Sequence, residues 1–154
     1  AMVQSLKTSG VSENFSDKNY LLSGYQIAPK ISYLFSKSTS WDVFYELQNK
    51  QNQIGAFETL LQNRFGTSFS YSGTQKIVAN GSVSLYQNKF SGNEFSAVGF
   101  QMLEGLQNGK NITWQVLLQK KVTSYLDVNL NYQGRKSPNN PAIHTGNMQL
   151  RAYF

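Results

Sequence analysis

The sequence predicts an all-β chain, an antiparallel, up-and-down transmembrane β-barrel of about eight strands with short periplasmic turns and longer outer loops. Three observations predict it. Apolar and polar residues alternate with period two over much of the 154 residues, the spacing that sends successive side chains to opposite faces of a strand. The polar partners are mostly uncharged: there are 15 Asn, 14 Gln and 18 Ser, while Asp, Glu, Lys and Arg make up 14% of the chain, against about 25% in an ordinary soluble domain. The links between strands also alternate short and long, as they do in outer-membrane barrels.

Taken in order, Met2 to Ser9 supplies the strand that an even count requires. Tyr25, Ile27, Ile31, Tyr33 and Phe35 then share one face, opposed by Gln26, Lys30, Ser32 and Ser36; Pro29 interrupts this strand because it cannot donate to a ladder. Trp41, Val43, Tyr45 and Leu47 oppose Asp42, Glu46 and Gln48, with Phe44 as an exception. Phe57, Leu61, Phe65, Phe69 and Tyr71 oppose Gln62, Arg64, Gly66, Ser68 and Ser70, and Ile77, Ala79, Val83 and Leu85 oppose Asn80, Ser82 and Ser84. Towards the end, Ile112, Trp114, Val116 and Leu118 alternate with Thr113, Gln115 and Gln119, broken by Leu117. The pattern is cleanest in Leu126, Val128, Leu130 and Tyr132 against Asp127, Asn129, Asn131 and Gln133. The last strand sets Met148, Leu150, Ala152 and Phe154 against Asn147, Gln149, Arg151 and Tyr153.

Links after Phe35, Tyr71 and Val122 are tight, whereas those near residues 48–56, 88–110 and 134–144 are longer and rich in Gly, Asn, Gln and Pro. The phase holds only if residues 97–106 belong to a loop. As a strand they would bring Glu104 into the row of Val98, Phe100 and Met102; as a short helix they place Val98, Met102 and Leu106 on one side. An internal echo, Lys37 to Val43 against Lys121 to Val128, puts an aromatic residue just after a tight turn, where an interfacial girdle lies.

Composition bounds the chemistry. At this length a single domain is expected, spanning residues 1–154, and Ala1 ahead of Met2 reads as an internal cut, which suggests the C-terminal piece of a longer protein. There is no Cys and one His, so disulfides, thiolate zinc sites and most imidazole constellations fall away. No catalytic, cofactor or metal site is expected. His144 with Ser137 could suggest acyl transfer, but no Asp is well placed and no nucleophile elbow appears. The net charge of +6 comes from scattered Lys and Arg, and the aromatic residues occupy strand positions that a lipid-facing surface needs, so nucleic-acid binding is not expected. Arg135, Lys136 and Lys110 instead suit lipopolysaccharide phosphates.

In the barrel reading the amide and hydroxyl face fills a narrow interior, packed by its own side chains. Inward charges must then compensate one another, since an isolated buried ion costs several kcal/mol: Lys30, Arg64, Lys121 and Arg151 are matched with Asp42, Glu46 and Asp127. A structural network is the first reading, and a proton or ion path the sharper one.

The ending Met148, Leu150, Ala152 and Phe154 resembles the C-terminal targeting signal that assembly machinery reads in bacterial outer-membrane barrels, although Ala152 replaces a bulky residue and Gln149 stands where Gly is common. Further stretches, Met102-Leu103-Glu104-Gly105-Leu106-Gln107, Gly109-Lys110-Asn111 with Trp114, Tyr132-Gln133-Gly134-Arg135-Lys136-Ser137, Ile143-His144-Thr145-Gly146 and Gln149 to Phe154, resemble the C-terminal region of large surface or outer-membrane proteins of Bacteroidota over roughly residues 20–154. That resemblance implies an outer-membrane location, a role as anchor and loop-presenting scaffold, and other envelope proteins as possible partners; it carries over no catalytic residue. The alternative is a soluble β-sandwich or barrel domain that binds protein or glycan in the periplasm or at the cell surface.

Overall fold

The structure is a computed structural model and describes residues 2–10, 19–73 and 76–153. One antiparallel sheet holds nine strands: β1 (Met2–Gly10), β2 (Tyr20–Ala28), β3 (Lys30–Ser36), β4 (Thr39–Asn52), β5 (Thr59–Gly73), β6 (Ile77–Ser91), β7 (Gly109–Thr123), β8 (Leu126–Lys136) and β9 (Ile143–Ala152). Among the described residues there is one helix, α1 (Ala97–Leu103), in the link between β6 and β7. Strand order follows the sequence, β1-β2-β4-β5-β6-β7-β8-β9, with β3 also on β4. The predicted up-and-down meander is therefore present.

The ninth strand comes from Pro29. β2 pairs with the second half of β4, Ile27 facing Leu47, and β3 pairs with the first half, Lys30 facing Phe44. They are two pieces of one lane, broken where Pro lacks an N–H, and the Pro29 carbonyl still accepts from the Tyr45 amide at 3.0 Å. The sheet thus has eight lanes. The helix reading of residues 97–106 is the one realised, with Leu106 beyond its end. Ser96 caps it by accepting from Gly99 N at 2.9 Å, and Glu104 and Gly105, with φ of 56° and 73°, turn the chain out of it.

Two expectations need correction. The sheet is open: β1 and β9 are its edges and do not pair. β1 runs beside β2 alone, from Met2 opposite Ala28 to Gly10 opposite Tyr20, while β9 spans β8 from Ile143 opposite Arg135 to Ala152 opposite Leu126. No described strand lies beside the free edge of β3, so the two edges differ in the height over which they could meet. Secondly, Phe57 is not in β5. It sits in the 53–58 loop with φ of 53°, a backbone that no strand residue adopts.

Register shows why the faces separate. Side by side across the sheet run Ile31, Val43, Thr67, Val83, Trp114, Gly134 and His144, and next to them Tyr33, Trp41, Phe69, Gly81, Val116, Tyr132 and Gly146. The alternate rows are polar, such as Asp42, Ser68, Ser82, Gln115, Gln133 and Thr145. The two exceptions of the sequence, Phe44 and Leu117, fall on the polar side. The Phe44 ring lies over Gly66, directly opposite it in register, where an added Cβ would come within 2.3 Å of the ring. Trp114 covers Gly134 on the apolar side in the same way, at 2.2 Å. Glycine is needed at both places because the ring takes the space of a side chain.

Candidate functional site

Burial is inverted relative to a soluble domain. Among the described residues the buried apolar side chains are Leu22, Leu60, Val98, Met102 and Leu103, while Gln48, Asn52, Glu58, Gln62, Ser84, Asn88 and Asn111 are buried polar ones. In contrast, Phe65, Phe69, Val83, Leu85, Val116, Leu118 and Leu130 are well exposed although they lie in central lanes. Exposed single apolar residues are ordinary; a contiguous face of them is not. No second sheet covers it among the described residues.

The apolar face has a measurable height. On β7 the outward residues Ile112, Trp114, Val116 and Leu118 are bracketed by exposed Lys110 and Lys120. The apolar side chains themselves, Ile112 to Leu118, cover roughly 20 Å of strand and the bordering lysines stand roughly 33 Å apart; a tilt of about 45°, as in an outer-membrane strand, would bring these to about 14 and about 23 Å, against the ~25 Å apolar band of such barrels. Neighbouring lanes end similarly, at Asn63 on β5 and at Gln87 on β6, which are paired with each other and then with Lys110. Polar groups of aromatic residues within the band are satisfied locally: Trp41 Nε1 donates to Thr67 Oγ1 at 2.6 Å, and the Tyr132 hydroxyl meets His144 Nδ1 at 2.8 Å. His144 thus stands on the apolar face of β9 and not in a loop.

On the polar face the α1 segment folds back onto the sheet. Val98, Met102 and Leu103 pack with Leu22 and Leu60, flanked by Tyr20 and Phe90, and each such buried side chain contributes about 1.5–3 kcal/mol. Lys50 Nζ meets Glu104 Oε1 at 2.7 Å on one side, and Arg135 donates to the Gly105 carbonyl at 2.9 Å on the other. The segment therefore bridges β4 and β8 over the sheet. Buried amides continue the anchorage: Gln62 donates to Asn88 Oδ1 at 3.0 Å, and Asn88 and Asn111 both donate to the Gln107 carbonyl, at 3.0 and 2.7 Å.

The sequence-chosen charges all lie on this face. Lys30 and Asp42 meet at 2.9 Å, and Arg64 and Glu46, register partners, at 3.6 Å. Arg64 is also sandwiched between the Phe44 and Tyr86 rings, 4.8 and 5.2 Å from their centroids, and donates to Ser84 Oγ at 3.2 Å. Lys121, Asp127 and Arg151 are adjacent in register without forming ion pairs; Asp127 Oδ2 instead accepts from the Tyr153 hydroxyl at 3.1 Å, and its Oδ1 has no partner. The pair Lys50–Glu104 escapes a sequence reading because its members are 54 residues apart. Of the C-terminal positions, Met148, Leu150 and Ala152 project from β9 on the apolar side and are exposed, while Phe154 lies outside the described residues.

The loops at the α1 end are built, not slack. Asn52 accepts from Leu21 N at 3.0 Å and donates to Glu58 Oε2 at 2.8 Å, holding a turn that leaves the Phe57 ring 63% exposed. Phe95, 95% exposed, projects from the α1 segment. Among the described residues no three His, Asp or Glu side chains gather as a metal site, and no helix is long and apolar enough to cross a membrane, which says nothing about crossing with strands. Set against models of known families, curated proteins and solved structures, the chain matches none.

Proposed function

We propose that this chain is an outer-membrane β-barrel that anchors a cell-envelope protein and holds its loops outside, in the manner of the Bacteroidota surface proteins its sequence resembles. The observation that carries the reading is the inverted burial: an apolar face bordered above and below by charged side chains, backed by a polar face whose amides are buried. A soluble domain would gain by covering that face, and a membrane supplies the cover. Backbone groups on the free edges of β1, β3 and β9 would be unsatisfied in hydrocarbon, where each costs several kcal/mol, so the lipid setting itself favours closure of the eight lanes. Phe57 and Phe95, held outward at the long-loop end, suit contact with another envelope protein. Lipid, lipopolysaccharide and, during biogenesis, the assembly machinery are the partners this reading requires.

The test is amphiphile dependence. The purified chain is expected to need detergent to stay monomeric, and to migrate differently with and without heating in cold sodium dodecyl sulfate. A folded monomer in plain buffer would overturn the proposal in favour of a soluble β-domain that binds protein or glycan.

A further inference from the structure

Under the turn that follows α1 the polar face is not filled by its own side chains as a narrow barrel interior would be. It leaves a hollow of about 560 Å³ walled by β5 to β9 and roofed by Glu104 and Leu106, a size within the roughly 300–1,000 Å³ of small-molecule sites. The lining has three parts with different chemistry. Ser82, Thr113, Gln133 and Thr145 stand on two adjacent rows and, among the described residues, make no side-chain hydrogen bond within the protein. They offer donors and acceptors in a plane. Next, the charges are unequal in their freedom: Arg64 is matched by Glu46 and Glu104 by Lys50, whereas Arg135 has only the Gly105 carbonyl. One cationic group is left to meet a ligand. Finally, Ile143 and Leu106 give a small aliphatic patch; of the two aromatic residues in the lining, Tyr86 is already under the Arg64 guanidinium and the Trp114 ring is spent over Gly134 on the apolar side.

We propose that this hollow binds a hydroxyl-rich ligand with a single negative charge, of the acidic-saccharide class. A planar aromatic ligand would find its stacking surface taken, and a phosphate dianion would bring two charges to one free cation. A hexuronate presents hydroxyls to the amide and hydroxyl rows, a carboxylate to Arg135 and a C–H face to Ile143. The inference rests on the polar face being the interior of the barrel, since closure would complete the wall opposite β9.

The test is calorimetric titration of the full chain, folded in detergent, with a hexuronic-acid disaccharide, its neutral hexose counterpart and inorganic phosphate. The acidic sugar is expected to bind about tenfold or more tightly than the neutral one, the difference a charge-assisted hydrogen bond makes, and phosphate to give no saturable heat. Arg135→Gln brings the two sugars to equal affinity, Arg135→Lys keeps the preference in part, and Gln133→Leu weakens both by the same factor. Heat-dependent mobility of each variant shows that it folds. Absence of binding of either sugar at about 10 mM, equal affinity in the unaltered protein, saturable phosphate binding, or a preference that survives Arg135→Gln overturns the site. A chain that folds only in detergent but ignores sugar removes the site and leaves the membrane reading standing; one that folds in buffer overturns the membrane reading and, with it, the interior on which the site rests.

Discussion

Placing an arginine at Val83 separates a lipid-facing surface from a water-facing one. Val83 lies on β6, paired on both sides with Thr67 and Trp114, and is 41% exposed on the apolar face. If that face meets water, Val83→Arg removes no buried contact and shifts stability by no more than about 0.5 kcal/mol, as surface changes do. If it meets hydrocarbon near the midplane, the cost is about 2–4 kcal/mol, a roughly 30- to 900-fold loss in the folding equilibrium. Gln87→Arg, at the upper border of the same strand, is the matched control and should cost about 0–1 kcal/mol. The assay is urea unfolding in phospholipid vesicles followed by tryptophan emission, because Trp41 and Trp114 both stand on the apolar face. Equal midpoints for Val83→Arg and the unaltered chain, or equal losses at residues 83 and 87, would refute the argument.

Gly66→Ala and Gly134→Ala should each cost about 1–3 kcal/mol, the usual range for overpacking, because the new methyl meets the Phe44 or Trp114 ring, whereas Gly81→Ala, with open space around it, should be near neutral; the same titration ranks the three. Leu103→Ala should cost about 2–5 kcal/mol and expose residues 92–108 to protease while circular dichroism of the strands is retained. Glu104→Gln breaks a pair whose carboxylate is half exposed and should change stability by about 1 kcal/mol or less. Since the chain has no Cys, spin labels on cysteines introduced at Ser5 and Met148, both on the apolar face, report closure directly. Neighbouring strands lie about 4.8 Å apart, so a closed barrel gives strong dipolar coupling, and its absence in lipid would mean the edges stay apart.

What could be read from the sequence follows from what period two encodes. It assigns sides, and every outward residue named from Tyr25 to Tyr132 shares one face in the structure, apart from Phe57. That residue failed because Gly55-Ala56 lets the chain turn just before it, and parity carries no record of a turn. β6 was read too short at the loop end, where Gln87 and Lys89 are polar on the outer side as well and the contrast between faces disappears. Inward parity placed Lys30, Asp42, Glu46 and Arg64 together, but which cation meets which anion is set by register, and register depends on loop lengths. The hollow and the turn that roofs it were invisible for a related reason: curvature and the fold-back of a loop are tertiary quantities, and Lys50 and Glu104 give no local sign of each other.

The glycine and aromatic pairs have a bearing on how such a sheet finds its alignment. Sliding β4 past β5 by two residues would keep every greasy and wet side chain on its proper side, and the inner row of β5 beyond Gly66 is nearly monotonous, Ser68, Ser70 and Ser72, so sidedness alone does not choose among such offsets. A displaced Phe44 would have to settle on Ser68 or Arg64, where a Cβ already fills the space. The bare backbone at Gly66 works as a notch for that ring, as Gly134 does for Trp114 three seams away, so that two glycines far apart in the chain lock the strands into step.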